Sequence, residues 1–360
     1  MGGDCTANSR GFPGRSGSRE HQRRFFSLSG YRVVRHPLFI VGTPRSGTSL
    51  LSRLLHGHSQ WAIAPETHYF TRCWTGEAID DTEDAREMLD CALRQPGVAD
   101  MGLSEEQIET VRRTVLTAEA PSHRLLLSTL LETFARTHGA AYWGEKTPAH
   151  VEYLDAIADT FPRAVVLVMM RDPRDVSLSI RKTPWNQERT VVDHAGRWTR
   201  HAQLADAFRR RAPGRVRKIK YETLIEHPED ILREVCQFLD CDFEPSMLGQ
   251  QASGQANFDP DREPWKEKVL QPIDPTNKEK WRDQMSAAEH KIVQWRAGEE
   301  LERQGYPSEE VPFKVGMSAD LLRIAGQTIK GKWRRFRYHV LYSLPTQEMP
   351  WRSEERRAED

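Results

Sequence analysis

The chain has 360 residues, enough to bury a full core as one large domain or two modest ones. Its 52 lysines and arginines are balanced by 52 acids, so no net positive field marks it as a nucleic-acid binder. No apolar run approaches a membrane span, no signal-peptide core opens the chain, and the five cysteines (Cys5, Cys73, Cys91, Cys236, Cys241) contain no C-x-x-C pair. Free thiols in a reducing, cytoplasmic compartment are therefore expected.

Residues 1–30, rich in Gly, Ser and Arg, read as a disordered tail with a faint likeness to a transit peptide. "PLFIV" (37–41) is the first strand, and "SLLSRLL" begins the helix after it. His56 and His58 close that helix, where a cation complements the dipole, and carry no assigned chemistry. Residues 71–140 form a charged helical insertion, either capping a site or decorating the domain. Further helices are read at 120–138, 150–161 and 191–211, and further strands in "AVVLVMM" (164–170) and "VRKIKY" (216–221). Short apolar strands alternating with helices predict a three-layer α/β fold, with a central parallel sheet flanked by helices and a helical insertion. Ligand chemistry belongs at the carboxyl ends of such strands. Trp143, Trp198, Trp281 and Trp295 are expected in the core. Pro-rich residues 257–277 read as a long irregular segment. The expected boundaries are a domain over 34–310 and a basic helical tail over 311–360.

The turn between the first strand and helix is "GTPRSGTS", with Gly42 and Gly47 at the spacing of the phosphate loop G-x-x-x-x-G-K-[ST]. Ser49 keeps the final hydroxyl, but Thr48 stands at the lysine position and Arg45 lies earlier in the loop. Converging N–H groups and the helix dipole still suit a phosphate-like anion. Without a lysine reaching the terminal phosphates, triphosphate hydrolysis loses its usual electrophile, whereas a planar arginine fork suits a tetrahedral oxyanion.

"VLVMMRDPRDVSLSIRK" (167–182) offers a second anion site, with Arg171 at a strand tip and Ser179 two turns along the next helix. Asp172 before Pro173 is helix-start chemistry, preferred here over a magnesium-binding acid, and Arg174 reads as a surface ion-pair partner.

Two anion sites without a triphosphate lysine suggest a nucleotide phosphorylated at two places. "PRSGTSLL" and "RDPRDVSLS" resemble the 5′-phosphosulfate and 3′-phosphate motifs of sulfotransferases that use 3′-phosphoadenosine 5′-phosphosulfate (PAPS). "WGEKTPAH" (143–150), "IKYETLIEHPEDILREVCQFL" (219–239) and "QPIDPTNKEKW" (271–281) extend the resemblance over residues 37–305. The chain looks most like the tyrosylprotein and bacterial branch of this P-loop fold. It lacks the first-loop lysine and the R-K-G motif of the cytosolic enzymes.

The resemblance implies that Arg45, Ser46, Gly47, Thr48 and Ser49 hold the sulfated end of PAPS, with Arg171 and Ser179 on the 3′-phosphate. It makes Tyr221 and Lys280 cofactor contacts, Lys146 the cation on the transferring group and Glu66 the general base. His68 stands where the branch has a basic substrate contact, and is the rival base. The serine expected near the end of the cofactor loop has no counterpart around Trp265. No His/Cys/Asp cluster has ligand spacing, so no metal is expected.

These residues predict a PAPS-dependent transferase acting on a hydroxyl or amine of a small molecule, glycan, lipid or peptide. The competing readings are a P-loop kinase or triphosphatase and a non-catalytic adenosine-bisphosphate binder. The acceptor and the oligomeric state are not encoded legibly. In the tail, "DLLRIAGQTIKGKWRRFRYHVLYSLP" (320–345) interleaves Lys330, Lys332, Arg334, Arg335 and Arg337 with Trp333, Phe336 and Tyr338. The expectation is a helix packing its aromatics on the domain, favoured over one resting on an anionic membrane.

Overall fold

The computed structural model describes residues 36–186, 189–249, 260–312 and 317–342, with side chains described to Arg334 in the last stretch. The expected disorder of 1–30 lies outside the described residues.

Five parallel strands form one sheet in the order β2-β3-β1-β4-β5. They are β1 Leu38–Gly42, β2 Trp61–Ala64, β3 Tyr142–Lys146, β4 Val165–Met170 and β5 Val216–Lys220. Every residue of β1 and β4 is buried, as continuous apolar strands covered on both faces must be. β1 lies between β3 and β4, with Ile40 opposite Lys146 on one side and Leu167 on the other. The carboxyl ends of three adjacent strands therefore converge, and strand order reverses at β1, where open α/β sheets bind ligands.

The helices are α1 Thr48–His56, α2 Thr82–Leu93, α3 Pro96–Ala99, α4 Glu105–Leu116, α5 His123–Thr137, α6 Leu154–Thr160, α7 Pro173–Ile180 and α8 Val191–Arg211. They continue with α9 Tyr221–Glu226, α10 Pro228–Phe238, α11 Trp281–Gln284, α12 Ala287–Arg303 and α13 Met317–Tyr342. Helix α8 has the bounds read from the sequence. Strands β2 and β3 were not expected. β2 is only "WAIA", and β3 ends in Glu145 and Lys146, buried charges that break an apolar run.

The insertion between β2 and β3 contains α2–α5 and does touch the site. A Cβ on Gly97 of α3 would sit 2.1 Å from the carbonyl oxygen of Glu66, so only glycine permits this approach. Cys73 and Cys91 form a disulfide joining α2 to the segment after Glu66, which corrects the expectation of free thiols. A disulfide is at odds with a reducing compartment, although Cys236 and Cys241 are free. Arg174 is also corrected. It is fully buried, holds both oxygens of Asp172 and lies 3.7 Å over the Trp281 ring. Trp143, Trp198 and Trp281 are in the core as expected, but Trp295 is 76% exposed. Among the described residues no helix is long and apolar enough to cross a membrane.

Candidate active site

β1 ends in a loop that glycine makes possible. Gly42 and Gly47 have φ of 152° and 102°, and a Cβ on Gly47 would meet the Tyr221 ring at 2.4 Å. Arg45 also adopts the left-handed region, with φ 72°, unusual for a residue with a side chain. That turn sends its guanidinium across to α7, where Nε donates to Ser179 Oγ at 3.1 Å and Nη2 to the Trp265 carbonyl at 2.8 Å. Burial and the nearby Arg171 push the Arg45 pKa below its ordinary value.

Arg171 leaves the tip of β4 and donates to the Arg45 carbonyl at 3.4 Å and the Asn277 carbonyl at 3.0 Å. Its guanidinium lies 4.3 Å over the Tyr221 ring. Asn277 joins the remaining members, donating to Tyr221 Oη at 2.7 Å and accepting from Lys280 Nζ. The two anion subsites read from the sequence thus share a wall, because Arg45 bonds Ser179, the residue assigned to the other subsite.

The second cluster is built around Glu66, which follows β2. Its Oε1 accepts from Lys146 Nζ at 2.6 Å, at the end of β3, and from Lys266 Nζ at 2.8 Å. Lys146 also lies 3.5 Å from Ser49 Oγ, linking the cluster to the first turn of α1. Burial works to raise the Glu66 pKa, but Lys146 and Lys266 override it and hold the carboxyl well below the usual range. Burial lowers Lys146, whereas Glu66 and Glu263 outweigh burial at Lys266 and raise it.

His68 is not extended, as its φ of 51° starts a π-helical turn over Tyr69–Cys73. Even so, its Nε2 comes within 3.5 Å of Glu66 Oε2. Burial pushes the His68 pKa down to about 4, against the pull of Glu66, so the ring is neutral at pH 7. The loop carrying both residues is anchored by Glu145, fully buried, which accepts from Thr67 Oγ1 at 2.9 Å and from Thr147 Oγ1, and pairs with His150 at 3.0 Å.

Both clusters open on one cavity of about 690 Å³, whose lining includes Arg45, Thr48, Glu66, Arg171, Tyr221 and Lys266. Arg171 Nε is buried there without a hydrogen-bond partner. An orphaned cationic donor beside a glycine-rich loop at a helix N-terminus fits an anionic nucleotide.

The profile of the Sulfotransferase family matches residues 37–245. The chain belongs to that family. With membership comes the reaction class, transfer of a sulfuryl group. A putative protein-tyrosine sulfotransferase of Caenorhabditis briggsae is 25% identical over 215 residues, 59% of this chain and 68% of that one. Protein-tyrosine sulfotransferase 1 of Danio rerio is 23% identical over 218 residues, 59% of this chain and 55% of that protein. Among solved structures, the sulfotransferase domain from the curacin biosynthetic pathway aligns with a TM-score of 0.53 at 20% identity, covering 78% of this chain and 99% of the domain. That likeness shows the fold alone.

In this sulfotransferase, sequence reading missed Lys266, Glu145 and Asn277. Lys266 sits on a 3-10 helix, Pro264–Leu270, inside the segment read as irregular, and occupies the neighbourhood where a serine was expected. Its only sequence signal is adjacency to Trp265. Asp172 caps α7, and Arg174 holds both of its carboxylate oxygens. The expectation of no ligand cluster needs one correction. His58, Cys236 and Cys241 bring ligand atoms within 4.8 Å of one another, outside the cavity lining. The His58 ring already donates from Nε2 to the Asp242 carbonyl and accepts the Gln60 N–H at Nδ1.

Proposed function

We propose that this sulfotransferase moves the sulfuryl group of PAPS to an acceptor hydroxyl or amine at the Glu66 end of the cavity. The observation that carries this reading is the contact of Glu66 with Lys146 beside the glycine loop, which joins a base and a fixed cation within one site. PAPS when bound supplies an activated sulfuryl group on a phosphate leaving group. In the proposal the loop N–H groups, Ser46, Thr48 and Ser49 receive its 5′ end, while Arg171 and Ser179 face the 3′-phosphate, with Tyr221 and Lys280 beside them. Arg45 and Lys146 stabilise charge that grows on the leaving and transferring oxygens, where fixed donors act without reorganising.

Glu66 takes the acceptor proton. A carboxylate held by two lysines is a weak base, so one pair must loosen first, and its proton affinity recovers as it does. Lys266 is the partner suited to leave, because Glu263 offers it a second carboxylate at 2.7 Å. His68 contacts the acceptor.

Two further observations support this reading over a kinase. Thr48 stands at the lysine position, and Asp172 is consumed by Arg174. The test is incubation with radiolabelled PAPS and cell extract, with and without excess chelator. A labelled product formed in both supports the proposal, and loss in chelator with rescue by magnesium overturns it. Cytoplasmic location stays a proposal that the Cys73–Cys91 bond opposes. Thiol trapping before cell lysis decides it.

A further inference from the structure

Five large apolar side chains are exposed among the described residues, and three of them lie on α13: Leu322 at 74%, Ile329 at 64% and Trp333 at 64%. At 100° per residue, these three fall within about 40° of one another, a single straight stripe. The opposite face is the one that packs. Met317, Ile324 and Thr328 are buried, and Thr328 Oγ1 bonds Thr190 Oγ1 at 2.7 Å beside the start of α8. The expectation that this helix turns its aromatics onto the domain therefore fails at Trp333. The stripe points away from the protein.

Charge flanks the stripe on both sides. Arg323 and Lys330 lie roughly 80–100° to one side and Lys332 roughly 80° to the other, all exposed. Only Asp320 is acidic on this helix, and it pairs with Arg323 at 3.4 Å. Beyond it, residues 321–342 contain six arginines and lysines and no acid. A narrow apolar stripe between cations is the arrangement of a helix lying in a bilayer interface, with bases extended to the headgroups. Pairing with a second copy would set these cations face to face, which protein seams avoid by alternating charge.

We propose that α13 docks this protein on a bilayer surface carrying anionic lipid, by burying Leu322, Ile329 and Trp333 between its flanking bases. The proposal is independent of the sulfuryl chemistry.

The test is flotation of the full chain with phosphatidylcholine vesicles, with and without phosphatidylserine, at low and high salt. Co-flotation is expected only with phosphatidylserine and is lost at high salt. At about 1 kcal/mol per basic residue near such a surface, or fivefold, Lys330→Glu/Lys332→Glu should weaken partitioning by about twentyfold or more. Ile329→Ser/Trp333→Ser should abolish it at an unchanged melting temperature, because both side chains are exposed in the folded protein. The proposal is overturned by absence of binding, by equal binding to neutral vesicles, or by binding indifferent to both variants. A concentration-dependent dimer that Trp333→Ser dissolves also overturns it, making the stripe a seam between copies.

Discussion

The glycine loop and the Glu66 cluster are two halves of one cavity, built in opposite ways. In the first, Gly42, Arg45, Gly47 and Ser49 are neighbours in sequence, and backbone geometry does most of the positioning. In the second, Glu66, Lys146 and Lys266 come from segments 80 and 200 residues apart, and buried ion pairs do the positioning. The first half resembles a preformed socket. The second is an electrostatic balance that changes whenever one partner moves.

The most severe way to break the comparison is at the base. Glu66→Gln should lower turnover by roughly 100- to 10,000-fold while leaving calorimetric binding of adenosine 3′,5′-bisphosphate nearly intact. His68→Ala should mainly raise the KM for the acceptor. An inactive His68→Ala beside an active Glu66→Gln would transfer the role to His68. In the loop, Arg45→Ala should lower kcat by roughly 100- to 1000-fold, the usual cost of a lost charge-stabilising donor.

Arg171→Ala sharpens the division inside the socket. It should weaken adenosine 3′,5′-bisphosphate by about 10- to 150-fold, the value of a hydrogen bond to a charged group, and scarcely affect the analogue lacking the 3′-phosphate. Equal losses would show that the shared wall, not the 3′-phosphate, is what Arg171 holds. Lys266→Met tests the balance in the other half. Removing a cation that depresses Glu66 should raise that carboxyl's pKa, moving the acid limb of the kcat/KM profile to higher pH.

The last comparison concerns stability. Burial lowers His68 and His194 to about 4 in the folded state, so the unfolded chain binds protons first as pH falls. Stability should be full above about 6.5, decline toward pH 4 by at most about 3 kcal/mol per histidine, and level off below that. His194→Gln should flatten part of this slope in denaturant titrations at successive pH values, and an unchanged slope would remove His194 from the account.

The sequence by itself determined the parallel α/β plan and the anion socket. Buried strands are continuous apolar runs, and a phosphate loop must keep its glycines and hydroxyl at fixed spacing along one stretch. The bounds of α8 and the capping role of Asp172 were legible for the same reason, since helix periodicity and caps are local. Only the tertiary structure decided that Arg45 bonds Ser179, that Lys266 is the second partner of Glu66, and that Glu145 anchors the loop between them. It likewise decided that Cys73 pairs with Cys91, and that Trp333 faces outward although its basic neighbours were plain in the sequence. The reason is physical. Periodicity records which face of an element is apolar, but which distant charge meets a buried carboxylate depends on how strands are ordered in the sheet, and no local pattern encodes that order.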